Sequence, residues 1–225
     1  MGPVAAHFPE LEVIPYVIPG RSGTQLLPED LALLYRNHEN VNTVKEASGD
    51  LDNMRRSREC AGEDLQILSG DDDMTFTMMT DPCIGAGGVI SVISNVAPGP
   101  VQQMTEAVLE GDAEEGQSLY EALKPLFGIV TVKTQEESPW GPRLCKARNP
   151  LPIKTLMRLL GMPVGPTRRP LGKMTHAGLA VVRDAARRVW KNSPEILRPV
   201  EEAFSVDVEE RLEDPDLLEG LYYEE

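Results

Sequence analysis

The ten residues VNTVKEASGD, from Val41 to Asp50, decide the fold of this 225-residue chain. Val41, Thr43 and Lys45 recur at every second position, which predicts a β-strand that carries these three side chains on one face. The Ser-Gly-Asp that follows is typical of a turn. We therefore expect Lys45 to lie at the carboxyl end of a strand that leads through a turn into a helix.

Three further segments are short, rich in Val, Ile or Leu, and closed by turns that contain Gly or Asp. Together with the strand that contains Lys45, they predict strands at residues 12–18, 40–45, 65–69 and 88–93. Helices are predicted between them, at residues 28–36, 52–60 and 73–82. This β-α-β-α-β-α-β run predicts an α/β fold with parallel strands and right-handed crossovers.

After Asn95 the pattern predicts only helices, at residues 99–110, 112–133, 152–160 and 175–191, with a Pro- and Gly-rich loop at 162–173. From Ser193 onward, short apolar groups alternate with acids, so this tail is either partly helical or disordered. The expected organisation is thus an α/β region at 1–97, a helical region at 98–192 and an acidic tail at 193–225.

Charge and cysteine content exclude several classes of protein. The net charge of −14 argues against a nucleic-acid partner. Most of this negative charge lies in the tail, where residues 193–225 contain twelve acidic residues and two arginines. The three cysteines form no CxxC pair, which indicates a reducing, cytoplasmic compartment. The first residues lack a basic and apolar leader, and no long uncharged apolar run occurs, so we expect neither secretion nor a membrane span.

No metal or cofactor is expected. The three histidines are scattered, and the Gly-rich run at residues 85–88 precedes a predicted strand instead of following one, unlike a dinucleotide fingerprint. The acids at residues 71–73 could in principle bind a hard cation. However, Asp72 or Asp73 more simply serves as the N-cap of the next helix.

Four residues end or follow the predicted strands: Tyr16, Lys45, Gly70 and Ile90, at steps of 20 to 29 residues. Such steps fit successive βα units that place residues along the C-terminal rim of a parallel sheet, where α/β proteins hold their chemistry. A lysine facing a closed interior would be partly desolvated, which favours the neutral amine that attacks ketones. The alternative for Lys45 is an exposed lysine that starts a loop and pairs with Glu46.

Tyr16 and Arg21 have two interpretations as well. A buried tyrosine near a reacting centre can pass protons, or it can be a core residue with a satisfied hydroxyl. Arg21, in a tight Pro-Gly turn after the first strand, has the fork geometry to hold a carboxylate, or it is a solvated turn residue.

Taken together, YVIPGRSG (16–23), VKEASGD (44–50), LSGDDD (68–73) and GVISVISN (88–95) resemble the dihydrodipicolinate synthase family in order and spacing. NPLPIK (149–154) and Arg169-Pro170-Leu171 are similar to that family's helical C-terminal region, so the likeness covers about 180 residues. N-acetylneuraminate lyases place a lysine and a tyrosine in the same way, but Arg21, Glu46 and LSGDDD look more like the synthase branch. Val17 and Ser22 depart from that branch, which usually has Asn and Thr there.

The resemblance implies a class I aldolase in lysine biosynthesis that condenses pyruvate with L-aspartate 4-semialdehyde. Lys45 would form the Schiff base, Tyr16 would donate and accept protons, and Arg21 would bind the semialdehyde carboxylate. The backbone around Gly70 and Ile90 would line the pyruvate pocket. A homo-oligomer is also implied, since the family forms dimers or tetramers.

The four predicted strands match the last four of the family's eight-stranded (β/α)8 barrel, so residues 1–97 would form its second half. The loop that holds the pyruvate carboxylate and a second relay tyrosine belong to the family's first half. We therefore expect the chain to be inactive by itself, with Met1 either a late start in a longer gene or the start of a genuine half-gene. The alternatives are a non-catalytic remnant, one part of a split barrel, or a related pyruvate aldolase that uses another aldehyde.

Overall fold

In the computed structural model, which describes residues 1–223, the chain divides into two compact units. The first unit comprises Met1–Ser91 with Met104–Gln117, and the second comprises Val92–Gln103 with Ser118–Glu225. The three-part division at residues 97 and 192 follows a different grouping and remains a prediction. Within residues 1–223, no helix combines the length and the apolar character needed to cross a membrane.

The first unit alternates short strands with helices. In chain order these are α1 (Gly2–His7), β1 (Tyr16–Val17), α2 (Pro19–Ser22), α3 (Pro28–Asn37), β2 (Thr43–Glu46), α4 (Leu51–Ala61), β3 (Gln66–Ser69), a 3-10 turn (Asp72–Met74) and α5 (Thr75–Thr80). After a second 3-10 turn (Ile93–Asn95), α6 (Pro98–Leu109) and α7 (Ala113–Phe127) follow, each with residues in both units.

The strands form a parallel sheet in the order β1-β2-β3. Tyr16 pairs with Lys45, and Lys45 pairs with Leu68, so the carboxyl ends of all three strands lie at one edge. The prediction of parallel βα units is confirmed for these strands. The Asp50 carboxylate accepts hydrogen bonds from the amides of Asp52 and Asn53 and so starts α4 directly after the turn.

The first and fourth predicted strands are shorter than expected. Pro15 and Pro19 flank β1 and cannot donate to a ladder, so regular pairing covers only Tyr16–Val17. The fourth segment contributes a single parallel bridge, between Ser69 and Val89, and not a strand over 88–93. Gly88 has a φ of 154°, which strand residues with a side chain rarely adopt, and this limits the pairing.

A buried apolar cluster lies between the sheet and the helices of the first unit. Its largest fully buried side chains include Leu31 of α3, Met54 of α4, Ile67 of β3 and Met78 of α5. Each of these contributes about 1.5–3 kcal/mol by leaving water, so the helices cover one face of the sheet firmly. This packing fixes the strand ends that carry the candidate residues.

The second unit contains a hairpin that the sequence did not predict. From residue 128 to residue 192, the second unit contains a 3-10 turn (Gly128–Val130), β4 (Thr131–Glu136), β5 (Arg143–Arg148), α8 (Leu151–Leu159) and α9 (His176–Asn192). The hairpin is formed by β4 and β5. The prediction of a helix through residue 133, and of helices alone after Asn95, is wrong. The helix ends at Phe127 because Gly128 and the β-branched run from Ile129 to Val132 favour extended backbone, which pairs antiparallel with β5.

The described part of the acidic tail is largely helical. It forms a 3-10 turn (Pro194–Ile196), α10 (Arg198–Phe204), α11 (Val208–Glu213) and a final 3-10 turn (Pro215–Leu218). The Arg211 guanidinium donates hydrogen bonds of 2.6 and 3.0 Å to the carbonyls of Leu159 and Arg158 at the end of α8. Val208 and Leu212 are fully buried, so this segment is packed and not a loose extension.

Candidate active site

Lys45 lies at the carboxyl end of the central strand of the first unit. Parallel pairing places it beside Tyr16 on β1 and Leu68 on β3. Its amine Nζ is 4.0 Å from the centroid of the Tyr16 ring, within the range of a cation–π contact. The two residues are thus brought together by register, although Tyr16 is 44% exposed and is not the buried core tyrosine of the alternative interpretation.

Gly70, one residue after β3, leaves the space that the Lys45 side chain occupies. A Cβ on Gly70 would lie 2.9 Å from Lys45 Cε and 2.9 Å from the Cβ of Ala47. Both distances are shorter than real Cβ contacts. The Gly70 amide also donates a 2.7 Å hydrogen bond to the Glu46 carbonyl, which holds the backbone at that close approach. Any larger residue would therefore displace the lysine stem.

Ile90 lies on the other side of β3 from Lys45. Its amide donates a 2.8 Å hydrogen bond to the Ser69 carbonyl, directly before Gly70, and its side chain is 41% exposed. Tyr16, Lys45, Gly70 and Ile90 thus line the carboxyl edge of the sheet in the predicted order, while their roles stay predictions.

Arg21 lies on the short helix that follows β1, and not on a strand of the sheet. It lies on α2, which begins two residues after β1, and its side chain is exposed. The short helix results from Pro19 at its first turn and ends at Gly23, whose φ of 68° suits a helix C-terminus. The sequence predicted a Pro-Gly turn here, and the structure makes that turn one turn of helix.

The loop after β3 is held by buried hydroxyls that sequence reasoning missed. The Thr75 hydroxyl is 3.0 Å from the Ser69 hydroxyl, which itself donates to the Asp71 carbonyl. Ser91 donates a hydrogen bond to the buried Asp72 carboxylate. Asp72 therefore fixes the chain after Val89. The prediction that Asp72 or Asp73 caps the next helix is wrong. Asp71 and Met74 occupy the N-cap positions of the 3-10 turn and of α5, and neither makes a side-chain cap bond.

Glu46 is a buried carboxyl directly after the lysine. The strand pleat directs it to the face opposite Lys45, and it is 1% exposed. Its Oε1 accepts a 2.7 Å hydrogen bond from the Ser48 amide, whereas Oε2 has no hydrogen-bond partner within residues 1–223. Burial raises the pKa of the Glu46 carboxyl, against the opposing effect of the Ser48 bond, with the charges of Asp71 and Asp50 adding to the rise.

A lysine amine against an aromatic face, with its stem in the space left by a glycine, is suited to one kind of chemistry in particular. The amine can attack a carbonyl carbon, and the neighbouring phenol can exchange protons with the adduct. The Tyr16 ring favours a cation at the amine position, and the iminium that such an attack yields is also a cation.

Comparisons with known proteins point to one family. A sequence model of the dihydrodipicolinate synthetase family matches residues 3–188. The 4-hydroxy-tetrahydrodipicolinate synthase of Methanothrix thermoacetophila is 35% identical over 185 residues, which are 82% of this chain and 57% of that protein. That of Methanoculleus marisnigri is 37% identical over 169 residues, 75% of this chain and 52% of that one. The chain thus spans little more than half the length of the curated relatives it matches.

Solved structures of the same kind are similar in fold. The 4-hydroxy-tetrahydrodipicolinate synthase of Methylacidiphilum fumariolicum SolV has a TM-score of 0.73 at 28% identity, over 90% of this chain and 60% of that chain. The dihydrodipicolinate synthase of Aquifex aeolicus has a TM-score of 0.71 at 29% identity, over 88% and 60%. Both sequence and fold therefore place the chain beside these enzymes.

The buried Glu46 carboxyl gives a testable pH dependence. Its raised pKa means that the folded state holds the proton more tightly than the unfolded state. The stability that the neutral form contributes is present at low pH and is lost as pH rises above the ordinary glutamate range. Glu46→Gln keeps the neutral form, so its free energy of unfolding should fall less than the parent's between about pH 5 and about pH 8.

Urea denaturation at both pH values measures this difference. Glu63→Gln, at an exposed loop position, is the matched control and should follow the parent. If Glu46→Gln loses as much stability as the parent over the same interval, folding does not raise the pKa of the Glu46 carboxyl.

Proposed function

Because the chain belongs to the dihydrodipicolinate synthetase family, we propose that it carries the Schiff-base lysine of a synthase that condenses pyruvate with L-aspartate 4-semialdehyde. The product would be 4-hydroxy-tetrahydrodipicolinate, an intermediate of lysine biosynthesis. The observation that carries the proposal is the position of Lys45, with its amine against Tyr16 and its stem in the space left by Gly70. Three of the family's motif residues thus meet at one point.

The proposed reaction begins with attack of the Lys45 amine on the ketone carbon of pyruvate. Water leaves, and the resulting iminium withdraws electrons from the neighbouring methyl group, so that a methyl proton is lost and an enamine forms. The enamine carbon then attacks the aldehyde carbon of the semialdehyde. The amino group of the product displaces Lys45 by transimination, which returns the free lysine.

Tyr16 is proposed to carry protons between these intermediates. Its ring is next to the amine, and its exposure lets the hydroxyl reach substrate or water. Gly70 and Ile90 are proposed to line the pyruvate pocket with backbone and apolar surface. Arg21 is proposed to bind the carboxylate of the semialdehyde, since its exposed guanidinium follows β1 at the same end of the sheet.

The chain is further proposed to be the second half of a (β/α)8 barrel that depends on further segments for turnover. In support, β1, β2 and β3 pair in parallel, as successive strands of such a barrel do. The loop for the pyruvate carboxylate and the second relay tyrosine are expected in the part of the relatives that this chain does not match. A homo-oligomer, as is usual in the family, is proposed for the assembled enzyme.

The Schiff base is tested by borohydride trapping. The chain is fused behind the part of the Methanothrix thermoacetophila synthase that is proposed to supply the first half of the barrel, and the fusion is incubated with pyruvate and borohydride. We expect one reduced adduct, on Lys45, because no other lysine stands at a matching strand end. Lys45→Arg should abolish it, while Lys133→Arg, on the exposed surface of β4, should not. Mass spectrometry that finds the adduct on another lysine of an active fusion refutes the assignment.

The role of Arg21 is tested by separating the two substrates. In the same fusion, Arg21→Ala should lower kcat/KM for the semialdehyde at least about tenfold, the value of one charged hydrogen bond. The rate of imine formation with pyruvate should stay within about twofold, since pyruvate is held elsewhere. Arg36→Ala, exposed on α3, serves as the control. Equal loss of both steps would mean that Arg21 is structural.

The 225-residue chain expressed alone should self-associate and show little turnover. Among the described residues, β1 pairs only with β2, and its other edge presents unpaired backbone groups. Ile14, Tyr16 and Ile90 are each at least 40% exposed and would associate to leave water. Sedimentation velocity with a pyruvate–semialdehyde assay measures both properties, with the fusion as the active reference. A monomer with robust turnover would overturn the half-barrel proposal.

A further inference from the structure

A cavity of about 460 Å³ lies in the second unit, between α8 and the loop that precedes α9. Its size is within the range of small-molecule sites. Four cationic side chains line it: Lys154 and Arg158 from α8, and Arg169 and Lys173 from the loop. No aspartate or glutamate is among the described residues of its wall. The cavity therefore has one sign of charge in a protein whose net charge is −14.

Within residues 1–223, no carboxylate pairs with the cations of this basic cavity. Lys154 Nζ donates a 3.0 Å hydrogen bond to the Pro166 carbonyl, which holds the side chain against the loop. The side chains of Arg158, Arg169 and Lys173 form no ion pair within residues 1–223. Like charges four residues apart on one helix, as at Lys154 and Arg158, repel each other. An anion in the cavity would relieve that repulsion.

The loop that supplies Arg169 is held in shape before any ligand arrives. The Thr167 hydroxyl donates a 2.7 Å hydrogen bond to the Gly172 carbonyl, and the Leu171 amide donates a 3.1 Å bond to the Arg168 carbonyl. These bonds close residues 167–172 into a compact turn with Arg169 at its tip. A guanidinium that is positioned in advance loses less freedom when it binds a planar or tetrahedral oxyanion.

We propose that the basic cavity binds a small oxyanion of two or more negative charges, through phosphate or carboxylate groups. Arg158 and Arg169 supply paired donors in the fork geometry that such groups accept, and Lys154 and Lys173 add point charges. Cavity walls that carry only positive charge concentrate a positive electrostatic potential inside the cavity. This potential attracts a multiply charged anion more strongly than it attracts chloride. The site lies apart in sequence from Lys45 and does not depend on the proposed reaction.

Isothermal titration of the fusion described above, which contains the whole 225-residue chain, tests the proposal with two probes, inorganic pyrophosphate and citrate, in chloride buffer at fixed ionic strength. We expect saturable binding of one ion per chain, and the tighter probe identifies phosphate or carboxylate as the natural group. The double variant Arg158→Gln/Arg169→Gln should lower the affinity at least about tenfold, as expected for loss of charged hydrogen bonds.

Two further variants keep the test decisive. Arg188→Gln makes the same change of charge at an exposed position of α9 and should keep the affinity within about twofold. Lys173→Gln, at an exposed loop position, removes a cavity charge without touching α8 and should weaken binding in a chain that folds normally by circular dichroism. Absence of saturable binding for both probes, undiminished binding in the folded cavity variants, or an equal loss in Arg188→Gln would overturn the proposal.

Discussion

Backbone hydrogen bonds between the three parallel strands determine where every candidate residue lies. Lys45 donates through its amide to the Pro15 carbonyl at 2.9 Å, and Gly70 donates to the Glu46 carbonyl at 2.7 Å. Because side chains alternate along a strand, a slip of one residue would exchange the faces of Lys45 and Glu46. The amine would then enter the packed side of the sheet and the carboxyl would face the open edge. Register alone therefore separates the nucleophile from the buried acid.

Side-chain contacts determine the position of the Lys45 amine more closely than the strand register does. The Tyr16 ring contacts the Lys45 amine from β1, and the missing Cβ of Gly70 leaves room for the lysine stem beside β3. On the far side, the Ser69–Thr75 and Ser91–Asp72 hydrogen bonds fix the chain that follows β3. Polar groups buried in this way restrict a backbone more strongly than apolar contacts, because an unmet bond is costly.

The sequence predicted the parts of this arrangement that depend on local pattern. Period-two alternation located β2 and its lysine, and the spacing of strand ends located Tyr16, Gly70 and Ile90 on one edge. The hairpin of β4 and β5 was missed because its pairing joins residues that no local period connects, and helix formers precede it directly. Asp72 was misjudged for a related reason: its partner Ser91 lies nineteen residues away in sequence. Glu46 gave no sign of burial, since its environment comes from Ser48 and from helices that pack over the sheet.

Arg211 connects the acidic tail to the end of α8. The family match ends at residue 188, whereas Arg211 lies beyond it and binds the last carbonyls of α8 inside it. The last carbonyls of a helix have no amide of the same helix to bind, so groups beyond it must satisfy them. Arg211 of the acidic segment is one such group. The Gly161 amide also donates a 3.0 Å hydrogen bond to the Arg158 carbonyl. The two segments are thereby coupled in stability: the end of α8 loses a donor to two of its carbonyls when Arg211 changes, although Arg211 lies 52 and 53 residues away in sequence.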